Sequence, residues 1–126
     1  MTLLGALCVF VGGGIGACMR WALALLLNPL SHVVPIGTLA ANLIGGYLIG
    51  VAAALFALRH ELPPEAKLFA ITGVLGGFTT FSAFSNEVVS LLAEGRPGWA
   101  GVTAAAHVAG SLALTALGIL TVRTVT

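Results

Sequence analysis

Charge is what this sequence has least of. Its 126 residues include five Lys or Arg and four Asp or Glu, 7% in all, where a soluble domain carries about 25%. Residues 1–19, 21–58, 68–86 and 97–122 contain none of the four. The stretches left over are too short to make a soluble surface, so a soluble enzyme is excluded. A net charge of +1 offers no basic patch for nucleic acid. Clustered Cys/His ligands, a phosphate loop and a Ser-His-acid arrangement are all missing, and Glu and His are too sparse for acid–base catalysis. Cysteine is scarce too. Cys8 and Cys18 fall in one helix, roughly 15 Å apart along its axis, too far for a bond within the chain. They read as small core thiols.

What is abundant is apolar. Hydrophobic residues make up 59% and mean hydropathy is +1.11, which excludes disorder and points to a polytopic membrane protein. A spanning helix needs about 20 apolar residues. The run 21–58 is punctuated by Asn28-Pro29, Ser31-His32 and Pro35, which is turn chemistry. The sequence therefore predicts an all-α protein, one four-helix transmembrane domain over 1–126, with helices at about 3–27, 36–58, 65–93 and 98–122. The first helix is not read as a signal peptide, because no Lys or Arg precedes it and three spans follow. Trp21 and Trp99 fit interfacial positions.

Orientation is nearly undecided. One side would carry Arg59, Lys67 and Arg123, the other Arg20 and Arg96. Basic residues set topology through their bias, and three against two is barely a bias. The chain is either oriented by partners or inserted both ways as an antiparallel pair, which a closed two-fold dimer satisfies.

Glycine, 17 residues, is placed with order. Gly12/Gly16, Gly46/Gly50 and Gly73/Gly77 are GxxxG pairs, which let helix backbones approach closely in lipid. Tight packing leaves little space within a protomer, so a transport route is expected between protomers.

Polar groups at membrane depth tend to mark function, and here they fall in rows. Thr103, His107, Ser111 and Thr115 follow one another at steps of four on the last helix, and Thr38 and Asn42 lead into Gly46 and Gly50 on the second. Any single hydroxyl can instead bond back to its own helix. His107 reads as an interior hydrogen-bonded group or a proton carrier. Arg20 reads as an interfacial anchor or an anion-attracting cation, and Glu87 can snorkel or pair with an Arg.

The third helix contains Gly76-Gly77-Phe78-Thr79-Thr80-Phe81-Ser82-Ala83-Phe84. Gly-Gly before Thr-Thr is poor helix material. Either the helix breaks there, freeing backbone carbonyls that protein, water or a cation must satisfy, or it continues and uses the glycines for packing. Phe81 and Phe84 share a face. Such a stripe is ordinary core or lipid contact, yet a ring edge is partially positive. Two ring edges beside Asn42, with Ser82 and Ser85 hydroxyls nearby, can hold a small anion without a fixed cation.

Together with Gly13-Gly14-Ile15-Gly16-Ala17-Cys18-Met19-Arg20, Gly37-Thr38-Leu39-Ala40-Ala41-Asn42-Leu43-Ile44-Gly45 and Ala109-Gly110-Ser111-Leu112-Ala113-Leu114-Thr115, this segment resembles the Fluc (CrcB) fluoride channels of bacteria. The resemblance runs through nearly all four helices. It implies an antiparallel dual-topology homodimer in the bacterial plasma (inner) membrane, exporting fluoride passively through two pathways at the dimer interface. It implies a third helix broken at mid-membrane, with backbone carbonyls at Gly76 and Thr79 holding a structural Na⁺ at the dimer centre. It implies Phe81 and Phe84 as an aromatic box, Asn42 as a fluoride ligand, Ser111 and Thr115 as a polar track, and Arg20 as the vestibule arginine. Thr38 and Ser82 complete the expected pathway. Ala83 departs from the Thr that the family often has between the box phenylalanines. His107, Thr103 and Glu87 take no role from the resemblance.

Two other classes compete. A small dual-topology exporter of cationic drugs needs a carboxylate deep in its first helix, and no acidic residue precedes Glu61 here. A structural subunit of a larger membrane complex would require an obligate partner.

Overall fold

The computed structural model describes residues 1–126 and is entirely helical. Helix α1 is Leu3–Leu27, started by Thr2, whose hydroxyl oxygen accepts from the Gly5 amide at 3.1 Å. That bond satisfies one of the amides a helix start leaves free. Asn28-Pro29-Leu30 ends the span in a single 3₁₀ turn. Ser31 Oγ then accepts from the amides of Val33 and Val34, and Asn28 Oδ1 accepts from the Gly37 amide at 2.8 Å. The first connection is thus tied by side-chain oxygens, and it delivers the chain into α2, Ile36–Leu58.

A charged loop follows, with an exposed Arg59–Glu61 pair at 3.4 Å. The third span is Pro64–Ala93. We divide it into α3, residues 64–78, and α4, Phe81–Ala93. Helix α3 is α-helical over Pro64–Lys67, π-helical over Leu68–Leu75 and α-helical again over Gly76–Phe78. Thr79 and Thr80, between α3 and α4, have extended backbone, with ψ of 159° and 120°. Helix α4 is closed by Gly95, just past its end and the one residue with positive φ, 71°. Arg96 N–H donates to the Leu91 carbonyl and Gly95 N–H to that of Leu92, the paired pattern that a glycine past a helix end allows. Pro97, at the first helical position, opens α5, Pro97–Val125. Helix α5 runs three residues beyond the expected 122, because Arg123 is accepted in its last turn, where a cation suits the helix dipole.

The four helical spans are long enough and apolar enough to cross a membrane, and large apolar side chains such as Phe10, Leu26 and Leu112 point outward. In lipid that exposure is solvation, and what remains to be explained is how the helices meet. Helix α1 meets α3 through glycine. A Cβ at Gly12 would stand 2.6 Å from the Phe69 carbonyl oxygen, and one at Gly73 2.9 Å from Gly12 Cα. Cβ atoms at Gly16 and Gly77 would strike the carbonyl oxygens of Val74 and Gly13. The GxxxG pairs of the first and third spans therefore face each other. The third pair faces α5, where Cβ atoms at Gly50 and Gly118 would strike the carbonyl oxygens of Thr115 and Tyr47.

Candidate functional site

Between α3 and α4 the backbone leaves its helical ladder, and other groups take over. Thr79 still closes onto α3, its amide at 3.0 Å and its hydroxyl at 2.8 Å from the Leu75 carbonyl oxygen. The next amide would reach the Gly76 carbonyl in a continuous helix. Instead Thr80 N–H donates to Asn42 Oδ1 at 2.8 Å. The Thr79 carbonyl would take the Ala83 amide, but that amide donates to Thr80 Oγ1 at 3.2 Å, the cap of α4. The Gly77 carbonyl accepts from Arg20 Nε at 3.2 Å. Arg20 thus turns its guanidinium inward onto the third span.

Asn42, on α2, is the hub. Its Oδ1 takes the Thr80 amide, and its Nδ2 donates to the Thr80 carbonyl oxygen at 2.9 Å. The same Nδ2 lies 3.0 Å from His107 Nδ1 on α5. His107 is buried and stacks on Phe84, centroids 4.5 Å apart and planes 24° apart. Phe84 in turn meets Phe81 edge-on, at 5.4 Å and 77°. Phe84 is buried, while Phe81 is 76% exposed.

These groups line an open cavity of about 330 Å³, bounded by Asn42, Thr79, Thr80, Phe81, Phe84, His107 and Ser111, with Val108 and Leu112. A second cavity of about 320 Å³, which Gly76 also lines, shares Asn42, Thr79 and Ser111 with the first. None of these residues carries a permanent charge. The first cavity therefore offers amide and hydroxyl donors and ring edges.

Of the residues expected in a pathway, Asn42, Phe81, Phe84 and Ser111 come together here, with Thr79. Ser82 is exposed, with its Oγ 3.3 Å from Thr80 Oγ1. Thr38 is buried one turn before Asn42. The Thr115 hydroxyl donates to the Gly46 carbonyl oxygen at 2.9 Å, so the lower part of the α5 row faces α2. Thr38, Ser82, Thr115 and Arg20 do not line the first cavity. Thr80, which sequence reasoning left without a role, and His107, an interior hydrogen-bonded group as one of its two readings had it, hold the site together. Their signals were present: Thr80 precedes a helix start, and His107 is one step of four before Ser111. Glu87 Oε2 lies 3.8 Å from His107 Nε2.

Comparison with known proteins turns this geometry into a kinship. Residues 7–119 match the family model described as CrcB-like protein, Camphor Resistance (CrcB). The chain belongs to the CrcB family. Curated relatives agree along most of its length. A Burkholderia cenocepacia protein named fluoride-specific ion channel FluC is 59% identical over 91% of this chain and 90% of its own. Proteins of the same name from Burkholderia lata and Burkholderia pseudomallei are 58% and 56% identical over the same shares. These relatives are named as ion channels, not enzymes. The CrcB chain described here is accordingly a multi-pass membrane protein.

Proposed function

We propose that this chain is a fluoride channel that lets fluoride leave the bacterial cytoplasm passively across the plasma (inner) membrane. The observation that carries the reading is the cavity at the α3–α4 junction, whose mostly apolar walls carry a few polar groups and no permanent charge. The names of the CrcB relatives, fluoride-specific ion channel FluC, support the same reading. A small, strongly hydrated anion needs donors to replace its water, and it must also be released. A fixed cation at the centre would hold it. Ring edges of Phe81 and Phe84, the Asn42 amide and the Ser111 hydroxyl attract it more weakly. Ser82, Thr38 and Thr115 extend the hydroxyl supply on either side. Arg20, its Nε engaged by Gly77, keeps its terminal N–H groups for an anion at the vestibule.

The working unit in this reading is an antiparallel dual-topology homodimer with two pathways at its interface. The near balance of Arg and Lys between the two sides supports it, as does the exposed Phe81 ring at the cavity edge. A structural Na⁺ at the dimer centre belongs to the same reading. The amides of Thr80 and Ala83 are diverted from the carbonyls of Gly76 and Thr79. Two such oxygens from each protomer suit a hard cation. When bound, the ion would neutralise carbonyl dipoles and hold the two junctions together.

The deciding experiment is ion efflux from liposomes containing the purified chain. Fluoride should leave and chloride should stay. Retention of fluoride would sink the proposal. In the same vesicles, single cysteines introduced at 60–64 should be labelled from both faces, and labelling from one face alone would reject the antiparallel dimer.

A further inference from the structure

We propose that His107 Nδ1 is the resident acceptor of one Asn42 N–H, and that a passing anion takes that N–H from it and gives it back. The inference rests on the fluoride reading for its anion, but its starting point is the hydrogen bonding of the protomer alone. The Asn42 carboxamide has only one orientation that works. Its oxygen must face the Thr80 amide and its nitrogen the Thr80 carbonyl, at 2.8 and 2.9 Å. The atom 3.0 Å from His107 Nδ1 is therefore the amide nitrogen, a donor only. Nδ1 must then present a lone pair. A proton there would set N–H against N–H. The ring is consequently neutral, with its proton on Nε2, the nitrogen facing Glu87 Oε2 across 3.8 Å. Turning the ring over would set a carbon against Asn42 and leave that N–H without its acceptor.

The two Asn42 N–H groups are not equivalent. Releasing the one on Thr80 undoes the junction that α2 makes with the α3–α4 backbone. Releasing the one on His107 leaves both Thr80 bonds intact. Asn42, His107 and Phe84 line the same cavity, so an anion that reaches Asn42 competes with His107 for the second N–H. A site that conducts must let its ion go. Nδ1 supplies the return: as the anion leaves, the lone pair recovers the N–H, and the half-buried donor is never left without an acceptor.

Nitrogen NMR of the full chain in lipid, labelled with ¹⁵N-histidine, tests this directly. The His107 signals are those lost in the His107→Asn variant. Nε2 should carry the proton and Nδ1 should be bare. Sodium fluoride should shift the Nδ1 signal and sodium chloride should not. A protonated Nδ1, or an Nδ1 indifferent to fluoride, overturns the proposal. Flux supplies a second arm. His107→Phe keeps the stack on Phe84 but removes the acceptor, and fluoride efflux should fall roughly ten-fold. His107→Asn, whose Oδ1 can stand where Nδ1 stood, should recover efflux to within about three-fold of the natural chain. Equal efflux from all three chains overturns the proposal as well. If His107→Phe fails to fold, the NMR of the unaltered chain decides. If the unaltered chain releases no fluoride, the channel reading fails, and the bare Nδ1 still tests the Asn42–His107 bond.

Discussion

The seam between α1 and α3 and the seam that α2 shares with α4 and α5 differ in how much polar chemistry crosses them. The first is glycine against glycine, with backbone atoms where side chains would otherwise stand. Its one side-chain hydrogen bond is from Arg20 to Gly77, at its end. The second is crossed by Asn42 to Thr80 and His107, by Thr115 to Gly46, and by the Tyr47 hydroxyl to Thr121 Oγ1 at 3.2 Å. In lipid, close packing and hydrogen bonds are the two means of holding helices together. The first seam relies on close packing along nearly all its length, while the second adds hydrogen bonds to the close packing at Gly50 and Gly118. The dry seam fixes the distance between α1 and α3, and the wet seam keeps polar atoms available where an ion would need them.

The separation can be broken most severely at the dry seam. Gly16→Val places branched carbon against the Val74 carbonyl oxygen. Overpacking against backbone should cost about 3 kcal/mol or more. The variant should lose its sharp gel-filtration peak and its cooperative thermal transition in detergent. A variant as stable as the natural chain would show that the seam has slack. Next in size is Phe81→Ile. The ring is mostly exposed on the protomer, so the stability of the protomer fold should hardly change, while removal of a ring edge should lower fluoride efflux on the order of 100-fold. Parallel losses of folding and flux would erase the distinction between the seams. The smallest effect belongs to Thr115→Val. It deletes one hydrogen bond to the Gly46 carbonyl, worth about 1 kcal/mol. Efflux should change about two-fold, and a shift in melting temperature should be detectable. A larger flux loss would give the Thr115 hydroxyl a greater share in the ion's passage than its bond to Gly46 leaves it.

Much of this organisation is legible in the sequence. Four spans follow from uncharged runs separated by Pro, Asn and charged residues, because a bilayer allows few other solutions. The GxxxG spacing marks close approach. It does not identify the partner, and that Gly12 and Gly16 face Gly73 and Gly77 is a long-range fact no local spacing contains. The π-helical stretch Leu68–Leu75 was not legible either, since its apolar sequence suits an α-helix equally. Asn42 stood out as a lone amide in an apolar helix. Its partners did not, because Thr80 is 38 and His107 is 65 residues away. The row Thr103, His107, Ser111, Thr115 correctly marked an inward face of α5. It gave no sign that the histidine would hold the asparagine, which depends on how three helices rotate against one another.

The Asn42 carboxamide gives an acceptor to the Thr80 amide and a donor to the Thr80 carbonyl. It thereby impersonates a peptide unit of a neighbouring strand. Only an amide side chain has both halves in one plane at that spacing, and glutamine would carry them a carbon further out. For protein engineering, position 42 is therefore a fixed letter. A library that varies the cavity walls can change Val108 or Leu112, both exposed apolar residues, but every member without asparagine at 42 would have to find a new way to terminate α3 and begin α4.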